Sequence, residues 1–231
     1  MRLLPLLAVP LAACSAASAT AASRDYPVRD FTAVELQGSP DVDIRVGGGF
    51  SVRAEGSDKW LERLDIRRDG DTLVIGTKPG ANWSFSWNGE KRDRVIVTLP
   101  RLTAARLRGS GDIRIDKVSG AAFAGAVRGS GDMSIGALTV ERAALEIEGS
   151  GDISARGTVR SLNAAIAGSG DIRAGELNAS GAQVSVRGSG NVTTRVNGAA
   201  AVSLLGSGDV DLGSGARCTI SKRGSGDVRC G

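Results

Sequence analysis

From Ala105 onward, apolar and polar residues alternate on both sides of a recurring corner, Gly-Ser-Gly-Asp. Count from the first glycine of each corner: Gly109, Gly129, Gly149, Gly168, Gly188, Gly206 and Gly224. Position +4 is Ile113, Met133, Ile153, Ile172, Val192, Val210 and Val228, and position +6 is Ile115, Ile135, Ala155, Ala174, Thr194, Leu212 and Cys230. Between them stand Arg114, Ser134, Ser154, Arg173, Thr193, Asp211 and Arg229, so the period is two and the segment predicts a strand with one face inward. Upstream, position −2 is Leu107, Val127, Ile147, Ile166, Val186 and Leu204 until Lys222 breaks the row. Position −4 is mostly apolar too, from Ala105 to Ile220. Two inward-facing strands therefore meet at every corner, and a further apolar position at Val118, Leu138, Val159 and Leu177 predicts a third short side.

The corners recur at spacings of 20, 20, 19, 20, 18 and 18 residues. A period near 19 marks a solenoid, in which each unit is one turn that buries its apolar face only against its neighbours. Hairpins offer another use for such corners, but like residues at one fixed offset favour stacking of like on like, which parallel coils provide. The expected fold is all-β: a single-stranded parallel β-helix of about 18–20 residues per coil with GSGD corners. "LQGSPDVDI" at Leu36–Ile44 reads as a degenerate earlier copy, so the repeat begins well before Gly109. Glycine at the first and third corner positions suits a sharp bend, with positive φ or close backbone approach.

Stacking places Asp112, Asp132, Asp152, Asp171, Asn191, Asp209 and Asp227 in one column. Carboxylates about 5 Å apart repel, so something must compensate: backbone donors in Asx-type turns, the flanking Arg108, Arg128, Arg187 and Arg223, or a cation. The turn role is the expected one and no metal site is expected. The alternative is a calcium ladder on Asp112, Asp132, Asp152 and Asp171, although Asn191 interrupts the charge and the nine-residue period of glycine-rich calcium repeats is absent.

Two stretches depart from the repeat. "GSDKWLERLDI" predicts a short helix with Ser57 as N-cap and Trp60, Leu61 and Leu64 on one side, covering an end or edge of the solenoid. "ANWSFSWNGE" alternates Trp83, Phe85 and Trp87 with serines, so an extended chain presents three of the chain's eight aromatics on one face. These rings either pack on the solenoid or form a platform for a sugar or partner.

The N-terminus carries Arg2, an apolar run from Leu3 to Ala13 and then small residues, which fits an export signal over residues 1–22 and is too short to span a bilayer. Its "LAAC" resembles a bacterial lipobox with Cys14 as the lipidated residue. A plain secretory signal cut after Ala19 or Ala22 is the alternative. With Cys14 used, Cys218 and Cys230 remain as a pair in an oxidising compartment, where a disulfide is expected over two free thiols. The net charge is only +4 and the basic residues are scattered, which argues against nucleic acid. The chain has no histidine, no nucleophile elbow and no cofactor loop.

The exported start, "FTAVELQGSPDVDIRV", "GDTLVIGTK" and "DRVIVTLPRLTAARLRGSGDI" leading into GSGD repeats together resemble the putative auto-transporter adhesin head domain called the GIN domain, over about Asp25 to Cys230. Within that span residues 25–107 are the less regular part and 108–230 the regular coils. The resemblance implies a parallel β-helix in the bacterial envelope and brings no established catalytic residues. The function expected is a non-enzymatic adhesin or surface binding module on an outer-membrane lipoprotein, facing the periplasm or the cell surface. It needs no cofactor, has an envelope glycan or protein as partner, touches the membrane through its lipid only, and can self-associate through the solenoid ends. A polysaccharide-acting β-helix enzyme and a purely structural envelope protein are the alternatives.

Overall fold

The computed structural model describes residues 22–78 and 93–231. The first part of the chain forms β1 (Ala22–Tyr26), β2 (Ala33–Gly38), β3 (Asp41–Val46), β4 (Ser51–Gly56), helix α1 (Asp58–Arg63), β5 (Leu64–Asp69), β6 (Thr72–Thr77), β7 (Arg94–Leu99), β8 (Ala104–Gly109) and β9 (Ile113–Ile115). The regular coils follow as β10 (Val118–Gly129), β11 (Met133–Gly149), β12 (Ile153–Gly168), β13 (Ile172–Gly188), β14 (Val192–Val196), β15 (Gly198–Gly206), β16 (Val210–Asp211), β17 (Ala216–Arg223) and β18 (Val228–Arg229). Stacking is parallel and like on like: Met133 pairs with Ile153, Ile153 with Ile172, Ile172 with Val192, and Gly129, Gly149, Gly168 and Gly188 line up in turn. The architecture is the expected parallel β-solenoid.

The degenerate copy is a true coil, and its place is unexpected. Leu36 pairs with Leu107, Gly38 with Gly109 and Val42 with Ile113, although about seventy residues separate them. On their other side β2 and β3 carry β6 and β7, with Val34 against Leu73 and Val42 against Val95. The first coil in sequence is thus the second in space. The chain leaves it, builds the terminal coil, and returns to the third.

Antiparallel strands finish that end: β4 on β7, β1 on β4, and β5 on β6. α1 joins β4 to β5 and packs against β4 and β1. Ser57 caps it, its Oγ accepting from the Trp60 N–H at 3.3 Å, while Leu61 and Leu64 are buried and Trp60 half-buried.

One core runs from Phe31 to Ala216, built from the two strand rows beside each corner and the third side. Buried Thr194 is satisfied in it, its Oγ1 donating to the Leu177 carbonyl at 3.1 Å. The third side forms as expected, with Val118, Leu138, Val159 and Leu177 all buried; a register slip places Gly157 on Leu138 and pairs Val159 with Val140 and Ala179. One expectation needs correction. In the last coil, Val228 and Cys230 are only half-buried and Ile220 is 47% exposed, because no further coil covers them among the described residues.

Candidate functional site

The corners are the most ordered chemical feature of the solenoid. At each, the first glycine takes positive φ, as Gly129 does at 126°. Its carbonyl serves the next coil: Gly109 O accepts from both Ser130 N and Gly131 N, at 3.0 and 3.2 Å. A Cβ on Gly131, whose φ is not positive, would overlap the Gly111 carbonyl oxygen, so glycine is required there by close approach.

The aspartates form a ladder between coils. The N–H of Asp132 donates to Asp112 Oδ1 (3.2 Å), that of Asp152 to Asp132 Oδ1 (2.9 Å), and that of Asp171 to Asp152 Oδ1 (2.8 Å). It begins at Asp41, which accepts from Asp112 N, and continues through Asn191 and Asp209 to Asp227. Asn191 fits without loss because it still offers Oδ1, accepting from Asp209 N at 2.8 Å. The expectation of an Asx-type turn is corrected in one respect: the acceptor serves the coil above rather than its own turn.

Compensation of the charge follows expectation in its backbone donors and departs from it in its arginines. Arg108 and Arg128 point along another column, to Glu35 (3.5 Å) and Glu148 (3.0 Å). Besides the backbone donors, arginines of the +5 row meet part of the ladder: Arg173 bridges Asp152 (2.7 Å) and Asp171 (3.1 Å), and Arg114 pairs with Asp112 (3.1 Å), while Asp132 and Asp209 have no ion pair among the described residues. Asp152 and then Asp171 hold Arg173 more firmly in its charged form, raising its pKa. Sequence reading did not single out Arg114 or Arg173 for this role, although both lie two residues beyond an Asp, on the same outward face. Among the described residues no three His, Cys, Asp or Glu side chains converge where a metal ion could sit.

Cys218 and Cys230 form a disulfide across the last coil, with Cα atoms 6.2 Å apart. Cys14 and the aromatic strip Trp83, Phe85 and Trp87 lie outside the described residues. The described surface holds a groove of about 510 Å³ at the corner between the third side and the strands leading to GSGD. Ala121, Ala122, Phe123 and Ala143 contribute to its lining, and Arg101 and Arg142 stand beside it.

Residues 30–216 match the family described as "Putative auto-transporter adhesin, head GIN domain". The chain belongs to this GIN-domain family. Solved structures of similar fold include a putative adhesin from Bacteroides fragilis (21% identity, TM-score 0.80, covering 92% of this chain and 98% of that one). Another, from Parabacteroides distasonis, bears the name putative lipid binding protein (18%, 0.72, 92% and 97%). A putative adhesin from Parabacteroides merdae is similar at 14% identity, TM-score 0.69, over 92% and 96% of the two chains. No curated protein matches. At these identities the solved structures establish the fold of this GIN domain and leave its ligand open.

Sequence reading also missed the groove beside Phe123. Its only sequence signal is the run Gly120–Ala121–Ala122, where the next coils carry Glu141–Arg142 and Arg160–Ser161.

Proposed function

We infer that this GIN-domain protein is a non-enzymatic binding module of the bacterial envelope. The observation that carries the reading is the adhesin-head family match running along nearly the whole solenoid. The ladder supports it, because the recurrent carboxylates bind backbone and arginine and so serve the framework rather than a reaction centre. In this reading the export signal ends at Cys14, whose thiol carries lipid and tethers the solenoid to the outer membrane, facing the periplasm or the cell surface. Trp83, Phe85 and Trp87 are the contact for an envelope glycan or protein partner.

The test is a binding screen against envelope glycans and peptides, comparing the parent with the Trp83→Ala, Trp87→Ala double variant, with and without calcium. Loss of about 1–3 kcal/mol of binding at unchanged stability supports the platform. No binding by the parent, with simple destabilisation of the variant, favours a structural envelope role. A large rise in melting temperature with calcium would show a cation on the Asp column by mass action. Fatty-acid labelling lost in Cys14→Ser supports the tether, and equal labelling of both proteins rejects it.

A further inference from the structure

The geometry points to a second binding site, independent of the aromatic strip: the groove beside Phe123, for an anionic amphiphile, that is, an acyl chain bearing a phosphate or carboxylate headgroup. The groove arises from side-chain size. Ala122 stacks beneath Arg142 in the parallel register, and Arg142 stacks beneath Ser161. On the other side the chain entering β8 supplies Arg101, three residues before Ala104, which pairs with Ala124. The coil carrying Gly120, Ala121 and Ala122 therefore lies low between two coils that each raise an arginine. Two coil spacings, about 10 Å, separate those coils. Two arginine side chains can converge over a gap of that width.

The floor is apolar: Ala121, Ala122 and Ala124 are exposed along it and Ala144 half-buried, with Phe123 and Ala143 buried behind them. Its volume, about 510 Å³, falls within the range of roughly 300–1,000 Å³ typical of small-molecule sites. The charge beside it is uncommitted. Arg108, Arg128, Arg114 and Arg173 all have carboxylate partners, whereas Arg101 and Arg142 make neither an ion pair nor a side-chain hydrogen bond among the described residues. Glu141, adjacent to Arg142, lines the groove on the other side of the corner instead.

Two free guanidiniums beside apolar methyls complement an anion attached to a hydrocarbon. A sugar fits less well. Phe123 is only 2% exposed and offers no ring face for stacking, whereas an acyl chain asks only for apolar contact.

The test uses the purified full chain, with β1 intact, and monomeric dodecyl phosphate as probe, with inorganic phosphate, glucuronate and dodecyl maltoside as comparators, read by calorimetry. Arg101→Gln with Arg142→Gln removes the charge, and Ala122→Trp fills the groove. Arg195→Gln with Arg217→Gln removes the same charge elsewhere. The expected result is saturable dodecyl phosphate binding, weakened about tenfold or more by each groove variant and less than about twofold by the control pair. Melting curves identify any variant that fails to fold. Should Ala122→Trp fail, the arginine pair, which alters only exposed side chains, decides. Equal binding by all variants overturns the proposal, as does phosphate or glucuronate binding as tightly as dodecyl phosphate, or tight binding of the neutral detergent. Absence of dodecyl phosphate binding by the parent overturns it too. Vesicles containing phosphatidylglycerol, against phosphatidylcholine alone, then show whether the site takes the amphiphile from a bilayer. None of these outcomes bears on the aromatic strip, so the two readings fail separately.

Discussion

At the residue scale, one oxygen decides what a corner aspartate does. Asp132 donates its own N–H to Asp112 Oδ1 and accepts the Asp152 N–H on its Oδ1, and no ion pair complicates it among the described residues. Asp132→Ala removes the acceptor and is expected to cost about 1 kcal/mol in urea unfolding, the net worth of an exposed hydrogen bond. Asp132→Asn keeps an Oδ1, as Asn191 does natively, and should cost clearly less. Equal losses would mean that charge, rather than the acceptor, holds the column. Glu55, at the capped end, gives a pH-dependent counterpart. The hydrogen bond from Arg94 lowers its pKa below the usual 4.5, with burial opposing the shift and the charges of Arg94 and Arg53 adding to it. A depressed acid stabilises the fold fully above its unfolded pKa and loses that contribution as pH falls through the folded value. The melting-temperature difference between the parent and Glu55→Gln should therefore be largest near neutrality and shrink below about pH 4.5.

At the scale of elements, the two ends of the solenoid are closed by different means. Antiparallel β1, β4 and β5 cover the first end, whereas β17 and β18 leave one edge without a further strand among the described residues. Lys222 stands in the inward row above Leu204, with its Nζ 3.7 Å from Asp227. An inward charge on an edge strand discourages another chain from adding to it. Lys222→Val restores the apolar row, and sedimentation should then show more high-mass species than the parent at equal concentration. The disulfide holds the same coil, where apolar burial is weakest. Cys218→Ser with Cys230→Ser closes no loop and should lose about 2–3 kcal/mol of unfolding free energy.

At the scale of the whole molecule, stability follows stacking order rather than chain order. Residues after Asp211 form only the last coil, so truncation there exposes a new edge and should lower the melting temperature modestly, as in other one-dimensional arrays. Deleting residues 22–46 instead removes the second coil from between the first and third. It strips the partners of β6 and β7 on one side and of β8 and β9 on the other. That deletion should abolish cooperative unfolding by circular dichroism, although the two deletions are of similar length.

The repeat by itself determined the coil, the inward rows and the corner chemistry, because a side-chain period of two and a coil period near 19 are both written in local residue order. It also marked Leu36–Ile44 as a coil, since the corner glycine and its flanking apolar residues survive there. Only the tertiary structure decided where that coil sits, for stacking depends on which edge is free when the chain returns, and no local pattern records it. The same holds for charge. Arg173, five residues past its corner glycine, and Arg128, one residue before its own, are both exposed arginines near a corner, yet one bridges the ladder and the other meets Glu148 on a different face, because the corner turns the chain between those two positions. The groove at Ala121 and Ala122 is a difference in height between stacked coils, a property that comes into being only when neighbours from distant sequence are laid side by side.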